Sequence, residues 1–179
     1  MDFAGPIWNS KWLIIIDVKS KFPIIADMKN DTTAKSLYDA LEQVIDWFDS
    51  PEILVSDNSP PFNSYEMKQF YDKYSINHIT TAPYHPASSN GLAERFVRSF
   101  KEAMLKEQQM GQTNKFTALR NILRSYRWTP HTSTGSSPAN ILLQHSIRTE
   151  LDMMTPHEST KLRQQTKYAV EQLVWTLKH

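Results

Sequence analysis

Three acidic residues occupy positions from which carboxylates can work together. Asp2 lies in a short segment that ends at Gly5-Pro6, Asp57 follows the apolar run Ile53-Leu54-Val55, and Glu94 falls in the first turn of a helical stretch beginning at Leu92. Phosphoryl transfer is the chemistry that calls for three such groups. Two divalent cations about 4 Å apart can activate an attacking oxygen and stabilise a leaving one. Oxygen ligands suit hard ions such as Mg²⁺, and the metal charge relieves repulsion among the anions that hold it. Chemistry alone leaves other readings open. Glu94 is also an acid that the helix dipole favours near an N-terminus, Asp57 is also a turn residue, and Asp17 competes with Asp2 as a ligand.

The elements that must position these groups can be read from periodicity. Trp12–Val18 is a buried strand, and the short segment holding Asp2 is its antiparallel partner across a turn at Asn9-Ser10. Phe22–Met28 is a third strand, pushed to an edge or a strand start by Pro23. Asn30-Asp31-Thr32-Thr33 caps a helix over residues 32–48. The strand Ile53–Val55 then delivers Asp57 at its carboxyl end, where open sheets bind ligands. Ser64 caps a second helix, Ile76–Thr81 is a strand, and Ala82–Asn90 is a loop rich in proline and small residues.

Leu92–Gln108 is a strong helix. Phe96, Val97, Phe100, Ala103 and Met104 share one face of it, while Glu94, Arg98 and Lys101 share the other. Phe116–Trp128 forms a further helix, and Pro138 opens a short one through Gln144. Leu162–Trp175 reads as helical and then extended. The pattern is that of an α/β layer fold.

Composition narrows the function classes. The chain has 179 residues, no cysteine and a net charge of +1. Disulfides, thiolate metal sites and cysteine nucleophiles are therefore excluded. No apolar run approaches the ~20 residues of a membrane span, and no glycine-rich phosphate loop is present. Residues 1–60 hold ten acids against five bases, whereas residues 94–127 hold eight bases against three acids. An acidic half beside a basic half suits a polyanion laid over a metal site, and equally suits two solvated faces of different charge. The five tryptophans, at positions 8, 12, 47, 128 and 175, are expected to pack the core and its rim.

The local wording adds a resemblance. Met1-Asp2-Phe3-Ala4-Gly5-Pro6, Ile53-Leu54-Val55-Ser56-Asp57-Asn58, and Ala82-Pro83-Tyr84-His85-Pro86 with Asn90-Gly91-Leu92-Ala93-Glu94-Arg95 resemble three blocks of retroviral and Gypsy-like retrotransposon integrases. Asp17-Val18-Lys19-Ser20-Lys21-Phe22-Pro23 is similar to the family's junction between its second and third strands, which makes Asp17 a turn residue. Thr129–Ala139 resembles the segment that follows the core in Gypsy-type elements. The similarity runs in order from residue 2 to about residue 156.

The resemblance implies a ribonuclease H-like fold, a mixed five-stranded sheet flanked by helices, with residues 1–156 as catalytic core and 157–179 as an extension. It implies Asp2, Asp57 and Glu94 as a catalytic triad holding two Mg²⁺ or Mn²⁺ ions. Asn58, Tyr84, His85, Asn90, Arg95, Arg98 and Lys101 would then contact DNA, the cations positioning phosphates. The implied activity is DNA integration: trimming a 3′ end of element DNA with water, then using that hydroxyl on a target phosphodiester. DNA and further copies of the chain are the implied partners, inside the cell and in the nucleus. The alternatives are an integrase-like module that binds nucleic acid without catalysis, and a ribonuclease H-type hydrolase.

Three departures from the family pattern bear on the site. Thirty-six residues lie between Asp57 and Glu94, one more than is usual, and a loop absorbs that at small cost. Ser59 stands where glycine is common, which would strain the turn if a positive φ were needed. With Met1 directly before Asp2, the first strand is expected to be cut at its start, as in a fragment.

Overall fold

The computed structural model describes residues 1–81, 91–145 and 153–154. Five strands and five helices follow in the order β1 (Asp2–Ile7), β2 (Ser10–Ile16), β3 (Pro23–Asp27), α1 (Ala34–Phe48), β4 (Ile53–Ser56), α2 (Tyr65–Lys73), β5 (Asn77–Thr80), α3 (Gly91–Gln109), α4 (Lys115–Trp128) and α5 (Pro138–Leu143). Two compact units divide the chain, Met1–His145 and Ser146–His179. Almost all described residues belong to the first. Among the described residues no helix is long and apolar enough to cross a membrane.

The hairpin and capping signals operate as their chemistry dictates. Trp8 and Asn9 both take positive φ, 52° and 55°, in the two-residue turn that reverses β1 into β2, the geometry that matches strand twist. Thr33, Ser64 and Ser137 each accept a backbone N–H from the first turn of α1, α2 and α5, and Pro138 occupies the start of α5. Asp17 Oδ2 accepts from Ser20 N–H at 2.6 Å and from Ser20 Oγ at 2.5 Å, so it is spent on the β2–β3 turn.

The sheet differs from the expectation of one continuous five-stranded layer. β1, β2 and β3 form an antiparallel ladder, and β4 and β5 form a separate parallel one. Between them runs a single bond, from the Met1 nitrogen to Val55 O.

Two apolar clusters cover the faces of these strands. Leu13, Met28, Leu37, Leu41, Leu54, Met67 and Phe70 pack on the α1 and α2 side. Ala4, Trp12, Ile14, Phe96, Val97, Phe100 and Met104 pack on the α3 and α4 side. The aromatic stripe of α3 is thus buried, with Ala103 at its border, while Glu94, Arg95, Arg98 and Lys101 are exposed.

Gly5 has φ +120°, and a Cβ added there would meet Ser10 O at 2.8 Å. Both the backbone angle and the close approach require glycine. Gly5→Ala is expected to cost about 2 kcal/mol or more, read as a lowered urea midpoint; an unchanged midpoint would show that β1 relaxes freely around the added methyl group.

Lys115 ties α4 to the sheet. Its Nζ lies 2.7 Å from Asp27 Oδ2, donates to Ser10 Oγ at 2.7 Å and stands 5.7 Å from the centre of the Trp12 ring. Burial would raise the Asp27 carboxyl, but the bonds from Lys115, Lys29 N–H and Ser10 outweigh it and hold it below the ordinary value of 3.8. Stability from a depressed carboxyl is present above its unfolded pKa and is lost as pH falls through the folded one. Lys115→Met should therefore cost about 2 kcal/mol at pH 7. That penalty should shrink in melts run below the 3.8 of an ordinary aspartate; a penalty that persists undiminished in acid would assign it to packing instead.

Candidate metal and nucleic-acid site

Asp2 and Asp57 are brought together by strand order. Asp2 sits at the start of β1 opposite Ile14, and Ile14 belongs to the cluster that α3 covers. Directly opposed residues share a sheet face, so Asp2 points to the α3 side. Asp57 follows the last residue of β4, and the bond from Met1 to Val55 O brings the start of β1 against that end. Glu94 comes from the exposed face of the first turn of α3.

The electrostatics show that the three share a neighbourhood. Burial raises the Asp2 carboxyl above its ordinary value, and the charges of Asp57 and Glu94 raise it further, against the opposing pull of Phe3 N–H and the chain's amino group. The Met1 amine is pushed down to about 6 by burial, although Asp2 and Asp57 both draw it upward. The charges of two carboxylates from distant parts of the chain thus both reach Asp2. As hard oxygen donors that repel each other, the three fit a divalent cation chemically. Among the described residues, however, no three His, Cys, Asp or Glu side chains are grouped closely enough to hold one metal ion as they stand.

Each aspartate is oriented from one oxygen. Phe3 N–H donates to Asp2 Oδ1 at 2.7 Å. Ser59 donates to Asp57 Oδ1 twice, from N–H at 3.1 Å and from Oγ at 2.8 Å. The expected strain at Ser59 is not found, since Ser59 is absent from the residues with positive φ; its hydroxyl instead fixes the Asp57 carboxylate.

A second support was not visible in the spacing. Ser56 is fully buried, donates from Oγ to Asp57 O at 2.8 Å and lies 2.8 Å from His78 Nε2. The His78 ring stacks on Tyr71 at 4.2 Å, and burial holds its imidazole below the usual pKa. Twenty-two positions separate Ser56 from His78, and only the β4–β5 register, with Leu54 opposite His78, makes them neighbours.

Of the expected DNA contacts, Asn58 is exposed and accepts from Asn63 Nδ2 at 2.5 Å. Arg95 turns its Nε back to Gly91 O at 3.0 Å. Arg98 and Lys101 are exposed on the same helix. Tyr84, His85 and Asn90 lie outside the described residues, as does the loop they belong to, and as does 157–179.

An antiparallel ladder and a parallel one covered by helices, with acids at strand ends and at a helix start, belong to a ribonuclease H-like fold. Residues 1–86 match the family described as Integrase core domain. An uncharacterized protein of Caenorhabditis elegans is 34% identical over 170 residues, covering 94% of this chain and 13% of that protein. The Gag-Pol polyprotein of Walleye dermal sarcoma virus is 32% identical over 147 residues, 80% of this chain and 8% of the polyprotein. The chain therefore spans about an eighth or less of these relatives. Among solved structures, the catalytic core domain of BIV integrase superposes with a TM-score of 0.65 at 23% identity, covering 80% of this chain and 92% of that one. The HTLV-2 integrase catalytic core domain in complex with magnesium gives 0.63 at 20% identity, covering 79% and 93%.

Proposed function

We propose that this chain is the catalytic core of a DNA strand transferase, joining 3′ ends of element DNA to target DNA with divalent metal ions. The observation that carries the reading is that the charges of Asp57 and Glu94 both act on the half-buried Asp2, in a chain whose residues 1–86 match the Integrase core domain. Residues 1–156 would form the core and 157–179 lead away from it. Bound Mg²⁺ or Mn²⁺, two ions per site, would supply Lewis-acid activation of the attacking oxygen and stabilisation of the leaving one. The magnesium of the HTLV-2 core supports that choice of ion.

The chain's own residues have separable tasks. Asp2, Asp57 and Glu94 hold the ions, and Ser59 and Ser56 keep the Asp57 turn in one geometry. Arg98 and Lys101, exposed on the Glu94 side of α3, position DNA phosphates, with Arg95 and Asn58 beside them and Tyr84, His85 and Asn90 contributing from the loop before α3. Phosphate contacts of this kind set register without reading sequence. A second copy of the chain, and action in the nucleus, follow from the same reading.

A second reading has an observation in its favour. The three carboxylates are not grouped closely enough to grasp one ion, as in a module that binds nucleic acid without catalysis. The deciding experiment incubates the chain with labelled element-end duplex and target DNA in Mg²⁺ or Mn²⁺. Joined products that disappear with chelator and in Glu94→Gln support the transferase. DNA retention without products, unchanged in Glu94→Gln, supports the binding module.

A further inference from the structure

Asp57 is held at its carboxylate and at its peptide carbonyl, and the two holds meet in one circuit of contacts. The carboxylate accepts from Ser59. Phe62 N–H donates to Ser59 O at 3.1 Å, and the Tyr71 hydroxyl donates to Phe62 O at 3.2 Å. The Tyr71 ring stacks on the His78 imidazole at 4.2 Å. From His78 the path returns through Ser56 Oγ to Asp57 O. The same circuit reaches Asp2, because the Phe62 ring stacks on Phe3 at 4.9 Å and Phe3 N–H donates to Asp2 Oδ1.

Strand alternation brings these residues to one side. Asp2 and Phe3 are neighbours in β1, so their side chains leave opposite faces, and Phe3 packs on the α1 and α2 side. In the parallel β4–β5 pair Leu54 lies opposite His78 and Ser56 opposite Thr80. Opposed and alternate residues share a face, and buried Leu54 sets that face against the cluster holding Tyr71. Phe3, Phe62, Tyr71, His78 and Ser56 therefore back the two aspartates from the α2 side. Ser56 is also fixed through its carbonyl, which accepts from Thr81 N–H at 2.9 Å and from Thr81 Oγ1 at 3.2 Å.

The hydrogens available set the state of the imidazole. Ser56 Oγ carries a single hydrogen, and that hydrogen is directed at Asp57 O, 2.8 Å away. The contact of 2.8 Å to His78 Nε2 must then be made by a hydrogen on that nitrogen. Both the neutral Nε2–H tautomer and the imidazolium supply one, so the contact does not depend on the charge of the ring.

We propose that His78 is a positioning residue for Asp57: its Nε2–H fixes the Ser56 hydroxyl, which fixes the Asp57 peptide, while the Tyr71 ring fixes the plane of the imidazole. The proposal rests on the reading of Asp57 as a metal ligand. A ligating group works only when held within about 0.5 Å of its productive place. Ser59 fixes one carboxylate oxygen, and the relay from His78 fixes the backbone from which that carboxylate hangs. Partners that orient a ligand in this way set metal affinity by about 10- to 100-fold.

The test compares the full chain with His78→Leu and His78→Gln. Glutamine keeps a side-chain N–H to offer Ser56 Oγ; leucine fills the space against Tyr71 without one. Mn²⁺ affinity, read by water-proton relaxation, is expected to fall about 10-fold or more in His78→Leu and to return to within about 3-fold in His78→Gln. Exchange of the Ser59 amide, which donates to Asp57 Oδ1, should quicken about 10-fold in the leucine variant and recover in the glutamine one. Nitrogen-15 shifts of the unsubstituted chain should place a hydrogen on His78 Nε2. Leucine and glutamine variants alike in Ser59 exchange, or a hydrogen on Nδ1 alone, would overturn the proposal. An unsubstituted chain that binds no Mn²⁺ would sink the metal-ligand reading instead, and the exchange and nitrogen-15 results would still decide whether His78 holds the Asp57 turn.

Discussion

Asp57→Asn is expected to abolish DNA strand transfer, by about 1000-fold or more, while leaving the fold as stable as before or slightly more stable. In the proposed transferase the loss follows from removing one of the anions that would hold the metal charge; each tenfold corresponds to about 1.4 kcal/mol of barrier, and metal-assisted charge stabilisation is worth several. The stability expectation has a separate origin. Asparagine keeps an oxygen at the position where Ser59 N–H and Oγ donate, so the turn retains its hydrogen bonds. Burial is the largest cause that raises the Asp2 carboxyl, and the charge that disappears is the next of the raising causes.

A carboxyl whose folded pKa lies above its unfolded value binds its proton more tightly in the folded state. It therefore destabilises the fold progressively as pH rises through that folded pKa. Removing the Asp57 charge lessens that burden at neutral pH. Strand-transfer gels and thermal melts at pH 7 check both halves together. Retained activity would remove Asp57 from the site, and a melting temperature lowered by more than about 5 °C would make lost activity a folding effect. Glu94→Gln should behave alike in activity, with a smaller effect on stability because Glu94 is exposed.

Trp12→Ala is expected to be the most destabilising single truncation, costing about 4 kcal/mol and lowering the melting temperature by about 10 °C or more. Trp12 is fully buried. Its ring meets Phe100 of α3 edge-on at 5.9 Å, its Nε1 donates to Ile7 O at 3.2 Å, and the Lys115 ammonium stands over its face. The substitution opens a cavity where β1, β2, α3 and α4 converge and leaves Ile7 O without its donor. Trp47→Ala is the control, since that ring is 66% exposed; it should change stability by no more than about 0.5 kcal/mol. Equal effects at the two positions would show that the α3–β2 packing is not what holds the domain together.

Those two tryptophans also show how far residue type reaches. All five were expected in the core or its rim, yet Trp47 lies on the solvent side of α1, because the helix period that buries Leu37 and Leu41 turns position 47 outward. The elements themselves were legible where local chemistry decides them. Thr33, Ser64 and Ser137 start helices by accepting from N–H groups three positions on, Pro138 opens α5, and the stripe from Phe96 to Met104 declares which face of α3 is buried. Motif wording likewise made Asp2, Asp57 and Glu94 candidates before any fold was in hand.

What no local pattern carries is pairing across the chain. The Ser56–His78 contact depends on the β4–β5 register, and the support of Asp57 by Ser59 depends on how one turn closes.

The amino-acid order by itself determined the kinds of element and their succession, because each rests on interactions within a few residues, and its resemblance to a family named three acids as candidates. Only the tertiary structure decided that the strands form two ladders with an apolar gap between them, and that Asp2 feels both other acids. Register and proximity are set by packing between segments tens of residues apart, and that packing is a property of the assembled layers and of no single stretch.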